Sequence, residues 1–306
     1  MAPTVANTHT WLRHIQGLEL LFAAHGPVRE STDPLIKLLV ESTRLTMIVA
    51  SLYNRQPSLM ARQEWKAANA DQSIHNSAFS YLLDALAQLP TLYREQDALV
   101  HGSQTESTTD IDGTSHSYLP TGATSLLGRA LALLSDIRAQ RAQWIDSHPN
   151  TEFHRLPHTP VSSVSACPFP VVTHFSSLHV ANAFTLYNCF LILINQFIGS
   201  VYHLLTKDHD DLTRKLASDQ VYDAALDILK SIDYHLPFTL PTPNPSVHGS
   251  GPRNFYLIFP MRVAFQALSL SEVPDSDLHK LWLKDVFDVI KGRAGPWASE
   301  HIFRLE

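Results

Sequence analysis

Apolar residues recur along this chain at steps of three and four, interrupted by proline, glycine and runs of small polar residues. That period marks amphipathic helices. Thr8 or Thr10 can cap a first helix whose stripe is Trp11, Ile15, Leu18, Leu21 and Phe22, stopped at Gly26-Pro27. Asp33-Pro34 restarts the chain as N-cap and first helical residue. Leu35, Leu38, Leu39, Leu45, Ile48, Val49 and Leu52 then carry a helix to about Asn54. After Pro57 a short segment leads to Trp65. A pattern from Ile74 to Leu89 turns Phe79, Leu82, Leu83 and Leu86 inward, with Pro90 as its break. Leu127, Leu131, Leu134, Ile137 and Trp144 define the next helix. Val221, Ala225, Ile228 and Ile232 define one that ends near Pro237. Tyr256, Phe259, Val263, Ala264 and Leu268 suggest a helix interrupted or begun at Pro260. Leu278, Trp282, Val286, Val289 and Ile290 form the last, with Gly292 as C-cap. No stretch alternates with period two between hairpin turns, and no repeat of fixed period is visible.

The pattern changes over Phe175–Leu205, which is apolar nearly all round. It lies in the longest charge-free part of the chain, with no Lys, Arg, Asp or Glu between Arg155 and Lys207. Such a helix is buried, or it crosses a membrane. Length allows a span, which takes about 20 apolar residues. Asn182, Asn188, Asn195 and Gln196 argue against one, because each would need a partner in hydrocarbon. No basic cluster flanks the stretch to orient it. The expectation is an all-α fold: one large domain over residues 1–306, of about eight to ten helices around this charge-poor centre. Three connections interrupt it. The Ser-, Thr- and Gly-rich stretch 101–121 should be a mobile loop, and 147–170 and 237–252 should be Pro-rich and extended.

Composition narrows the function. With 44% hydrophobic and 17% charged residues, the chain is globular in character. A formal charge of -6 gives no general attraction to nucleic acid. Arg129, Arg138 and Arg141 read as a solvated helix face. The two cysteines, Cys167 and Cys189, fit a reducing compartment and cannot form a cysteine zinc site. The first residues have neither a basic nor an apolar leader region, so an intracellular protein, nuclear or cytoplasmic and not secreted, is expected.

No nucleophile elbow, P-loop, zinc-protease or dinucleotide motif occurs, so no catalytic, cofactor or metal residue is assigned. His154 and His158 are separated by Pro157 and do not share a helix face. Asp208, Asp210 and Asp211 read as a turn and helix cap rather than a magnesium site. Arg262, after Pro260, reads as half-buried and ion-paired. His174, His179, Asn182 and Asn188, along the start of the charge-free stretch, are the candidate lining of a ligand pocket.

Several segments in consistent order carry a resemblance. They are Trp11–Gly17 with His25-Gly26-Pro27, then RLTMIVASLYNRQPSLMARQEW from Arg44 to Trp65. FSSLHVANAFTLYN from Phe175 to Asn188, Ile228–Tyr234, and GPRNFYLIFPMRVAF from Gly251 to Phe265 follow. Together, over about nine-tenths of the chain, they resemble the regulatory domain of fungal binuclear zinc-cluster transcription factors. The resemblance implies a buried helical domain that modulates transcription, often beside secondary-metabolite genes. The chain departs from the family in lacking the six-cysteine cluster and basic stretch that read DNA, and two thiolates cannot hold two zinc ions. The expectation is therefore a non-enzymatic regulator acting through a protein partner, either a complete zinc-cluster factor or a second copy of itself. It should not read DNA directly and should need no cofactor or membrane. The alternative is a cofactor-free enzyme or a binder of a small apolar ligand in a fungal biosynthetic pathway, built on the same domain.

Overall fold

A computed structural model of the protein describes residues 6–27, 32–70, 78–106, 119–157, 166–206, 211–239 and 255–294. The fold is all-α, with ten α-helices and one two-stranded ribbon among the described residues. In chain order these are α1 (Ala6–His25), α2 (Pro34–Asn54), a 3-10 turn (Leu59–Ala61), α3 (Gln63–Ala70), α4 (Ala78–Leu86), α5 (Leu89–Glu106) and α6 (Leu119–Ser147). There follow β1 (Glu152–Arg155), β2 (Val172–Phe175), α7 (Leu178–Leu205), α8 (Asp211–Thr239), α9 (Phe255–Ser269) and α10 (Ser276–Ala294). They cluster into two compact units.

One unit comprises residues 12–142 and 194–217. Its helix boundaries follow from local chemistry. Asp33 accepts the Leu35 amide at 2.7 Å and Pro34 opens α2, while Arg55 ends it in the left-handed region with φ 51°. Ser58 caps the 3-10 turn, whose Leu59 amide donates to Glu19 of α1 at 2.8 Å. Trp65 is buried and its ring lies 6.5 Å from that of Phe22. The helix α2 packs on α4 and α5. At that seam Arg44, only 1% exposed, donates to Asp84 at 2.5 Å and to Ser80 at 2.9 Å. Burial raises the Asp84 pKa, against the pull of Arg44. The end of α7 joins this unit through Phe197, edge-on to Tyr93 of α5 at 5.2 Å, and Ser200, which accepts from Gln96 at 2.6 Å.

The other unit comprises residues 1–11, 143–193 and 218–306. Its main core joins Cys189 and Ile192 of α7 to Ile228, Leu229 and Ile232 of α8, Met261 and Leu268 of α9, and Leu283 and Val286 of α10. In the ribbon, β1 runs antiparallel to β2, with Phe153 opposite His174. All four β2 residues are buried. A strand covered on both faces shows no polar–apolar alternation, which is why period two was absent from the sequence.

The strand also corrects the start of the central helix. Phe175 belongs to β2, and α7 begins at Leu178, where the Val180 amide donates to the Ser177 hydroxyl at 3.3 Å. Elsewhere, Pro90 opens α5 rather than closing α4, because a missing N–H costs nothing in a first turn. Helix α5 reaches Glu106 and α6 starts at Leu119, so both ends of the expected 101–121 loop are helical, and 107–118 lie outside the described residues. The Pro-rich 147–170 stretch contains β1, while its residues 158–165, and 240–252 of the third connection, also lie outside them, as do Ile74 and Asp208 with Asp210. Helix α8 continues past Pro237 to Thr239, α9 runs through Pro260, and α10 passes Gly292. Arg262 is half-buried.

Two buried stripes are rotated from expectation. In α6 the buried positions are Ala123, Leu126, Ala130, Leu134 and Ile137, with Leu131 exposed. In α10 His279 is buried and Leu278 is exposed. Small Ala at the buried α6 positions permits close packing that larger neighbours would prevent. The structure also leaves Leu20 and Leu21 of α1, and Leu35, Leu38 and Leu39 of α2, exposed.

Helix α7 is long and apolar enough to cross a membrane, and most of its most apolar window is buried inside the protein. Phe190 at its middle is fully buried. Phe190→Ala should cost about 3–5 kcal/mol in urea denaturation. Leu131→Ala, on the open side of α6, should stay within about 0.5 kcal/mol of neutral. Equal small effects at both positions would contradict the assignment of α7 to the core.

Candidate functional site

In the unit that holds the ribbon, β2 delivers a histidine to a carboxylate on α8. His174 Nε2 lies 3.0 Å from Asp233 Oδ2, and both side chains are buried. The His174 ring meets Tyr234 edge-on at 5.5 Å, and Tyr234 meets Phe175 the same way at 5.3 Å. His235 follows in the chain, fully buried, and burial lowers its pKa to about 4. Half-buried Cys167 has a raised thiol pKa, first from burial and also from the charge of Asp233, against a backbone hydrogen bond at Phe169. Cys189 is fully buried and its thiol is raised further. A reactive cysteine needs a lowered pKa and access, and neither thiol has both. The His174–Asp233 pair fixes the imidazole and ties the ribbon to α8.

A second aromatic group lies in the same unit. His279 stacks on Phe169 with ring centroids 5.0 Å apart, and Trp282 meets Phe169 edge-on at 6.1 Å. Burial lowers the His279 pKa. The Trp282 indole N–H is buried with no hydrogen-bond partner among the described residues.

Of the four residues selected from sequence, His174 is buried against Asp233. His179 is exposed on α7, and Asn182 is half-buried. Asn188 is buried and donates its amide to the Phe184 carbonyl one turn earlier, at 3.1 Å. None of the four lines the open groove found in the other unit.

That groove, of about 590 Å³, is lined by α3, α5 and α6. Lys66 comes from α3, Thr91 and Leu92 from α5, and Arg129, Leu133 and Asp136 from α6. Arg129 donates to Glu95, and Asp136 accepts the Tyr81 hydroxyl. Burial, then the hydrogen bond to Asp136, raises the Tyr81 pKa and keeps that proton in place. Lys66 makes no direct ion pair among the described residues, although its charge reaches Asp84. Among the described residues no group of three or more His, Cys, Asp or Glu could hold a metal ion.

Comparison of the chain with protein-family models, with curated proteins and with solved structures finds no match.

Sequence reasoning missed Asp233 and the groove. Asp233 sits four residues after Leu229, on the inward face of α8, and a carboxylate at an inward position needs a partner. That signal was available. The groove was not, because α5 supplies one wall and its inward stripe includes the buried, polar Gln96.

His235 generates a pH dependence. Its folded pKa of about 4 lies below the ordinary 6.5, so between those values the unfolded chain binds the extra proton. Its effect on stability is absent above about pH 6.5 and grows as pH falls towards 4, a loss on the order of 3 kcal/mol. His235→Gln should flatten that part of the stability–pH profile in denaturant titrations. An unchanged slope between pH 6.5 and 4 would contradict the buried neutral state.

Proposed function

We propose that this chain is a helical regulatory protein that acts on transcription through a protein partner. The observation that carries the proposal is the open leucine face. Leu35, Leu38 and Leu39 recur on α2 at the spacing of a helix–helix seam, and Leu35 and Leu38 are 74% and 65% exposed. Exposed apolar patches of this kind mark interaction surfaces. Support also comes from the segments that resemble the zinc-cluster-factor regulatory domain, whose described residues lie in helices, in β2 or at helix ends. Gly26 ends α1 with φ 84°, and the Arg55–Trp65 segment forms the exit from α2, with Ser58 as a cap and Trp65 buried. The Phe-Pro-x-Arg-x-Ala run lies in α9.

In this proposal the partner is a complete zinc-cluster factor, which supplies the DNA contact, or a second copy of the chain, which does not supply it by itself. The net charge of -6 opposes docking on phosphate. Of the three α6 arginines, Arg129 is already engaged by Glu95. The purified chain should show no saturable, sequence-discriminating binding to promoter fragments in anisotropy titrations at about 150 mM salt, where weak phosphate-only binding is largely lost. Deleting the gene should change transcripts of a defined gene set. Leu38→Glu should reproduce that change without shifting the thermal melt. Unchanged transcripts with an accumulated biosynthetic intermediate would overturn the proposal in favour of an enzyme.

A further inference from the structure

We propose that the outward face of α2 docks against the same face of a second copy of the chain, with the two helices antiparallel. This rests on the reading of the open leucine face as an interaction surface, and it names which partner that face takes. At 3.6 residues per turn, Leu35, Leu38, Leu39, Ser42, Val49 and Tyr53 fall in one stripe about 100° wide. The buried residues Val40, Arg44, Met47 and Ser51 lie on the opposite side of the helix. Leu35, Leu38, Leu39 and Tyr53 are exposed, and Val49 is half-buried. The charged residues of α2 are Lys37, Glu41 and Arg44, and all three lie outside the stripe. It is therefore free of charge over about five turns, where a solvated helix face normally carries charged side chains.

Two features select the second copy. The first is charge. Chains of net charge -6 repel one another at a distance, but a stripe without charge brings no like charges into contact. The same stripe gives an oppositely charged partner nothing to recognise. The second feature is a symmetry in the order of side-chain sizes about Arg44. Leu35 and Tyr53 lie nine residues to either side of it, Leu39 and Val49 five, and Ser42 and Thr46 two. An antiparallel pair centred there sets Leu35 of each copy against Tyr53 of the other, Leu39 against Val49, and Ser42 against Thr46. Large side chains then meet at both ends. The small ones at the crossing let the axes approach to the roughly 8–10 Å of packed helices. Such a contact is self-complementary, as a two-fold dimer requires. Antiparallel packing also brings unlike ends of the two helix dipoles together. One helix per copy makes a small contact, so the dimer is weak and reversible, with a Kd of about 1–100 μM.

The experiment is sedimentation velocity of the full chain over a concentration series, with circular dichroism to check the fold of each variant. The wild type should pass from monomer to dimer in that range. Raising salt from about 0.1 to 0.5 M should not weaken it, because screening removes only the net repulsion. Leu38→Glu should weaken self-association about ten-fold or more, since it places like charges in the contact. Leu131→Glu, at an exposed leucine of α6, should leave it unchanged. Leu35→Lys and Tyr53→Glu should each weaken it. The double variant should recover towards the wild type, because each lysine then faces a glutamate of the other copy. The proposal is overturned if the wild type stays monomeric up to about 0.5 mM, or if Leu38→Glu associates as the wild type does. It is also overturned if the double variant associates more weakly than both single ones. Should Leu38→Glu fail to fold, Leu38→Gln and the wild-type series decide the question. A monomeric wild type whose Leu38→Glu variant still alters transcripts would overturn the dimer and leave the partner reading standing. A dimer broken by Leu38→Glu with transcripts unchanged would support the dimer and count against that reading.

Discussion

A helix of 28 residues with no charged side chain has to be covered, and α7 imposes that requirement on the rest of the chain. Its residues up to Leu193 belong to one compact unit and those from Ile194 onward to the other. Ala181, Leu186, Cys189, Phe190, Ile192, Ile194, Phe197 and Val201 are all buried. Burying that apolar surface is the main favourable contribution, on the order of 25 cal/mol per Å² removed from water. Two polar side chains of α7 are accommodated along the helix itself. Thr185 donates to the Asn182 carbonyl and Asn188 to that of Phe184, so neither needs a distant partner.

Each unit also buries a charge or potential charge and pairs it across sequence-distant elements. Arg44 of α2 reaches Ser80 and Asp84 of α4, and His174 of β2 reaches Asp233 of α8. Removing one member of such a pair leaves the other buried without compensation, which is more damaging than the pair is stabilising. These contacts set which elements pair. The apolar clusters around them supply most of the stability. The groove has the opposite character, with Lys66, Arg129 and Asp136 at an open surface where water keeps their energies small.

Much of the helical architecture was legible because its cues are local. Asp33-Pro34, Gly26 and the three- and four-residue apolar steps act within one turn of the chain. What sequence concealed depends on tertiary context. Helix α5 was hidden because its inward stripe includes Gln96, whose amide finds Ser200 far along the chain. The first half of the α6 stripe was displaced by one residue because Leu126 and Leu127 are adjacent, and packing rather than hydrophobicity chooses between them, while Leu134 and Ile137 are buried as expected. Strand β2 was hidden because burial on both faces removes alternation. Of the candidate pocket residues, His174 is buried against Asp233. Its partner Asp233 lies 59 residues away, a distance that local pattern cannot bridge.

The central claim is that α7 is the organising core helix. Native-state hydrogen exchange tests it most directly. Amides from Leu186 to Phe197 should exchange only with global unfolding, and those around Leu20 and Leu21 on the open face of α1 should exchange orders of magnitude faster. Exchange over Leu186–Phe197 as fast as at Leu20–Leu21 would contradict the account.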